Sequence, residues 1–269
     1  ILKQADAIEI QLGQGAIGGV AHIMKAASLD KKLQKAFHVK PGENAVIHAR
    51  QPQVKEPKNL RRLINDLRNI SEGVPVGVKM AAGKYIEADL EIAIDSGVDF
   101  IALCGAAAAT KGSSPILQDD FGLPTIFALS RAAHFIAEQG VKDQVSLIAG
   151  GKLLTPGDYL KAIALGADAV YVGTMALFAA THTQALKALP FEPPTQVAWY
   201  NGKLQHKFKV EQGAKNLANY INSCTLEMME GIKALGKISL NEVNIDDLMS
   251  LDPLIAKATG IEPAYGCFL

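Results

Sequence analysis

Two glycine corners carry the chemistry that this sequence can most readily support. Gly150 and Gly151 close an apolar run at 145–149, and Gly173 and Thr174 close a second one. Glycine puts no Cβ between the backbone and a ligand. Met175-Ala176-Leu177-Phe178 reads as the start of a helix after the second corner. Free N–H groups and the helix dipole at such a terminus favour a dianionic phosphate. Strand, glycine corner, helix, strand, glycine corner is how the last two units of a (β/α)8 barrel build a phosphate cup. The plainer reading is that the glycines only turn tight corners, and it holds if no anion sits at the mouth of these strands.

Other chemistries find less in the chain. The three cysteines, Cys104, Cys224 and Cys267, are far apart and form no CxxC pair, which reads as reduced thiols. The six histidines show no metal-binding spacing, and no metal site is assigned. No Ser–His–Asp constellation is visible.

The elements that must hold the corners alternate. Strand-like segments at 7–12, 45–48, 76–80, 100–105 and 145–149, and the one ending at Gly173, make six. Helical spacing joins Leu60, Leu63, Ile64, Leu67 and Ile70, and again Ile126, Leu129, Ala133 and Ile136. Alternating strands and helices predict a parallel sheet with right-handed crossovers. The expected fold is an α/β (β/α)8 TIM barrel that lacks its first strands in this chain, with two of eight expected ahead of Ile1. The unclosed edges would call for cover, and a homo-oligomer is one way to supply it.

Residues 1–189 are expected to form this barrel part. Residues 190–269 are expected to form a linker, marked by Pro190, Pro193 and Pro194, and a helical extension packed on the barrel. Its long helix would bury Ala214, Leu217, Ile221, Cys224, Met228, Ile232 and Leu235, with the Met228-Met229 pair read as core.

A hydrophobic fraction of 49% allows a large core, and aromatics at only 6% suit close helix-on-sheet packing. Zero net charge argues against a nucleic-acid partner held by bulk charge. The longest apolar stretch, 169–180, is too short to span a bilayer. A cytoplasmic location is expected, with an upstream membrane anchor left open.

The ordered set Ile8-Glu9-Ile10-Gln11-Leu12-Gly13-Gln14-Gly15-Ala16, Val76-Gly77-Val78-Lys79, the 110–115 loop, Gly150-Gly151 with 155–158, and Gly173-Thr174 resembles the FMN-binding synthase domain of the glutamate synthase family. The likeness is greatest to its stand-alone bacterial members, as 118–125 and 189–195 suggest. The resemblance implies FMN at the barrel mouth, with its phosphate at Gly150, Gly151, Gly173 and Thr174. It implies Lys79 beneath the flavin ring as the catalytic cation, where reduced flavin carries negative charge. Gln14 would meet the pyrimidine edge of the flavin. Arg50 would bind an anionic substrate or pair with a carboxylate. The implied activity is that of an oxidoreductase of CH–NH2 donors in glutamate biosynthesis, reducing 2-iminoglutarate from 2-oxoglutarate and ammonia. A 2-oxo acid or amino acid would be the substrate, with an electron donor still to be identified.

Departures from the family pattern are equally specific. Residues 179–191 contain no cysteine, so no iron–sulfur cluster is expected there. Ala106 to Ala109 replace a glycine-rich acidic loop, and Gln11 and Ile17 stand where lysines are expected. Two rival readings therefore stay open. One is a phosphate-binding barrel of another chemistry, IMP dehydrogenase-like or an isomerase, with Cys104 as nucleophile. The other is a catalytically degenerate flavin-binding module.

Overall fold

The computed structural model describes residues 2–15, 20–108, 113–188, 197 and 202–266. Five strands, β1 (Ile8–Gln11), β4 (Val76–Ala81), β5 (Phe100–Cys104), β6 (Ser146–Gly150) and β7 (Ala169–Tyr171), pair in parallel in that order. Each strand lies beside the next one along the chain, as in a barrel wound in a single sense. The helices α2 (Pro57–Ile70), α3 (Ile86–Asp95), α4 (Pro115–Asp119), α5 (Thr125–Glu138) and α6 (Pro156–Ala164) lie in the connections between them.

The sheet is rolled. The Tyr171 hydroxyl on one edge strand donates to Glu9 on the other at 2.7 Å. Four gaps of about 4.8 Å would hold those edges roughly 19 Å apart in a flat sheet. The architecture is a partial (β/α) barrel whose concave face is a lumen.

Alternation along the strands divides two environments. Val76, Val78, Ile101 and Leu147 are fully buried against Leu60, Ile64, Ile86, Leu90, Leu129 and Ile136 of the helices. Burial of each large aliphatic side chain contributes about 1.5–3 kcal/mol. Lys79, between Val78 and Met80, points the other way.

One expected barrel strand is elsewhere. Ala45–Ile47 (β3) pairs antiparallel with His22–Met24 (β2) in a separate ribbon, so the sheet has five strands and not six. Both Val46 and Ile47 are exposed. A segment so short and open does not suit a parallel sheet covered on both faces. Between the two ribbon strands lie a short 3-10 turn, Ala26–Ser28, and the six-residue helix Lys31–Ala36 (α1).

Local signals set the helix starts. Thr155 accepts from the Asp158 amide at 3.2 Å, and the Asp158 carboxylate accepts from Leu154 and Thr155. Pro156 at the first helical position completes this capping box. After β7, α7 (Thr174–Ala188) begins directly behind Gly173.

In the C-terminal part, α8 (Val210–Ala234) packs on α6 and α7, with Tyr220 and Tyr159 hydroxyls 2.5 Å apart and Asn216 donating to Thr183. Cys224 and Ile232 are buried as expected. Ala214, Ile221, Leu235 and Met229, all expected to be buried, are exposed, because only one narrow side of the helix meets a neighbour. Asp252 caps α9 (Pro253–Thr259) through the Leu254 and Ile255 amides, and Gly260 ends it at φ 76°. The prolines of the expected linker lie outside the described residues. No helix among the described residues is long and apolar enough to cross a membrane.

Candidate functional site

The two glycine corners are neighbours. Gly150 pairs with Tyr171, so the turn at Gly150-Gly151 and the turn at Gly173-Thr174 leave adjacent strands at the same end of the sheet. Gly151 has φ 125°, a conformation that favours glycine. A Cβ there would also lie 2.6 Å from Thr125 Oγ1, whose hydroxyl donates to the Gly151 carbonyl. Packing and conformation therefore account for Gly151. Neither accounts for Gly173, where an added Cβ would meet nothing within 4 Å. Among the described residues, no carbonyl or side chain accepts from the amides of Gly151, Gly173 or Thr174. Open space, unengaged N–H groups and the positive end of a 15-residue helix coincide here. A phosphate fits this donor set.

Lys79 faces the lumen with partners that sequence reasoning missed. Its ammonium is 4.0 Å from Glu9 Oε1 and 5.2 Å from the centre of the Tyr171 ring. The Tyr171 hydroxyl donates to the other Glu9 oxygen. Burial, then the hydrogen bond to Glu9, then its negative charge push the Tyr171 phenol up to about 12. A protonated phenol and an ammonium thus share one carboxylate. The signal was present in both strands: Glu9 lies between Ile8 and Ile10, and Tyr171 between Val170 and Val172, each a polar group on the second face of an apolar strand.

Gln14 and Arg50 are placed differently. The Gln14 side-chain amide donates to the Ala108 carbonyl at 3.1 Å and pins the first glycine turn to the loop after β5. Arg50 lines a cavity of about 680 Å3 with Gly13, Gly15 and Ala81, a cavity that none of Lys79, Gly150, Gly151, Gly173 or Thr174 lines. A second cavity of about 470 Å3 lies beside the Gly151 corner, between Ala106, Thr125 and Lys161.

Cys104 is 3% exposed, and burial pushes its thiol up more strongly than the nearby Lys79 charge pulls it down. That is the setting of an inert thiol. Cys224 is also a buried free cysteine. No group of three or more His, Cys, Asp or Glu among the described residues could hold a metal ion.

Residues 1–238 match the family described as the conserved region in glutamate synthase. The archaeal-type glutamate synthase (NADPH) of Thermotoga maritima is 28% identical over 269 residues, which cover 98% of this chain and 53% of that protein. The glutamate synthase large subunit-like protein of Rhizobium meliloti is 27% identical, with 93% and 60% covered. The chain thus spans about half the length of the curated relatives it matches. Among solved structures, the recombinant flavin-binding domain of baker's yeast flavocytochrome b2 superposes with a TM-score of 0.50 at 17% identity, over 90% of this chain and 47% of that one. At that identity the match speaks for the barrel fold alone.

Proposed function

The chain belongs to the glutamate synthase family, and from that premise we propose that it is the FMN-binding barrel part of a flavin oxidoreductase acting on a 2-oxo acid or amino acid. The observation that carries this reading is the paired corner at Gly150-Gly151 and Gly173-Thr174, where the amides of Gly151, Gly173 and Thr174 meet no acceptor among the described residues and the space at Gly173 is open, beside a lumen that holds the Lys79 ammonium. The phosphate of FMN would be held by the amides of Gly151, Gly173 and Thr174, with Gly150 giving the backbone close approach. When bound, FMN supplies a two-electron centre that accepts and passes on hydride.

The residues of this chain do the positioning. Lys79 would hold its ammonium where the flavin's pyrimidine edge becomes negative, and a preorganised cation in a poorly hydrated site stabilises such charge well. Glu9 fixes that ammonium from one side and Tyr171 covers it with its ring. The remaining amide hydrogen and the carbonyl of Gln14 stay available to the flavin rim. Formation of glutamate from 2-oxoglutarate and ammonia is the finer reading, and it draws on the names of the relatives. The electron donor would be supplied from outside the described residues.

Titration with FMN, followed by flavin fluorescence, tests the reading. Saturable binding at one flavin per chain is expected, and no binding at saturating FMN would overturn it. A second reading, flavin binding without turnover, draws on Ala106, Ala107 and Ala108 in the loop after β5. Photoreduced flavin that is not reoxidised by any 2-oxo acid with ammonia would favour this second reading.

A further inference from the structure

We propose that Tyr171 is a positioning residue for the Lys79 ammonium: by holding Glu9, its hydroxyl keeps the carboxylate from closing on Lys79 and leaves that cation free for an anion in the lumen. Lys79 serves the flavin in the reading above, on which this rests, and Tyr171 governs how much of its charge the flavin meets.

The bond lengths carry the proposal. Lys79 pairs in register with Gln11, and Glu9 lies two positions back along the same strand, on the same face. Both side chains are long enough to form a charge-assisted hydrogen bond of about 2.7–2.9 Å. They stand 4.0 Å apart instead. The other Glu9 oxygen accepts from the Tyr171 hydroxyl at 2.7 Å. The carboxylate thus makes its one short bond to a neutral phenol. The ammonium has three donors, and among the described residues none of them meets an acceptor. The Tyr171 ring, centred 5.2 Å away, attracts the charge without engaging a donor. Cys104, whose buried thiol also senses Lys79, is held in its neutral form and brings no competing charge. No second carboxylate among the described residues lies within 4.0 Å of the ammonium. Glu9 is therefore the group that could neutralise Lys79, and the Tyr171 hydroxyl is what holds it off. A plainer role for the hydroxyl, tying together the two edges of the rolled sheet, predicts a different outcome: it would not depend on the charge of Glu9, and it would favour neither oxidation state of a flavin.

The midpoint potential of FMN on the whole chain reads the ratio of its reduced to its oxidised affinity, and tests this. Tyr171→Phe keeps the ring and removes the hydroxyl. It should weaken reduced FMN by about 10-fold relative to oxidised FMN, the size of one hydrogen bond to a charged group. In the Glu9→Gln background the same substitution should move the ratio by less than about twofold, because no carboxylate remains to close on Lys79. An unchanged ratio in Tyr171→Phe, a shift in favour of reduced FMN, or an equal shift in both backgrounds would overturn the proposal. A second arm needs no flavin. A crystal structure of Tyr171→Phe without FMN should place Glu9 about 2.8 Å from the Lys79 ammonium. A separation still near 4.0 Å would overturn the proposal as well. Failure of the parent chain to bind FMN would sink the functional reading alone and leave this second arm to decide.

Discussion

The glycines at the two ends of the mouth do different work. At the β1–β5 end, the space a Cβ would need at Gly15 is already taken, with the Gly105 carbonyl oxygen 2.0 Å from it. Two backbones touch there, and glycine is a packing device. At the β7 end, Gly173 has the same missing atom and nothing near the space. Its amide and that of Thr174 meet no acceptor among the described residues. The first kind of glycine is explained by the fold, while the second leaves room and donors that point to a ligand. Of the departures from the family pattern, Gln11 and the alanines at 106–108 fall at the packed end, the cysteine-free stretch from 179 follows the open end, and Ile17 and Ala109 lie outside the described residues. The corner proposed for the phosphate keeps Gly150, Gly151, Gly173 and Thr174.

Gly15→Ala probes the packed end and should have the largest effect. A methyl group 2.0 Å from a main-chain oxygen cannot be relieved by a rotamer change, so the β1 turn must move away from β5. Overpacking against backbone costs about 1–3 kcal/mol or more. Urea unfolding should show a midpoint shift of that size. A variant as stable as the parent would erase the distinction between the two kinds of glycine.

Gly173→Val probes the open end. Stability should fall by less than about 1 kcal/mol, the range of a lost glycine at a helix N-terminus. FMN affinity should fall by about 10-fold or more, because the side chain occupies the space assigned to the phosphate. Equal loss of stability and affinity would mean that this glycine too serves the fold. Lys79→Met sharpens the same point from the lumen side. It should weaken FMN and lower the flavin midpoint potential, since the reduced form loses its cation. Unfolding should change by less than about 1 kcal/mol for a partly exposed ion pair.

Much of this was legible in the chain. Helical periodicity located α2 and α5, and the corner glycines located the ends of two adjacent strands. The strand at 45–48 was misplaced because three apolar residues in a row say strand without saying which sheet. The long C-terminal helix was given too wide a buried face, since periodicity shows which residues share a side but not how much of that side meets a neighbour. Glu9 and Tyr171 were passed over for a different reason. They lie 162 positions apart and meet only across the rolled sheet, a contact that no local spacing encodes.

That contact offers the subtlest test. In Glu9→Gln the Tyr171 phenol should titrate below the native value of about 12 yet above an ordinary tyrosine, because burial, the largest cause, remains. Phenolate absorbance read against Tyr171→Phe isolates this group from Tyr159 and Tyr220, which are also raised. The sign for stability follows from the direction. An acid whose folded-state pKa lies above its unfolded value of about 10 favours folding while protonated. This contribution is fully present below about pH 10 and is lost as pH rises toward 12. Glu9→Gln should narrow that window from above. If its Tyr171 titrates as the parent does, the bond across the lumen does not hold in solution. Lys79 would then lack the brace that distinguishes its strand from the open corner at Gly173.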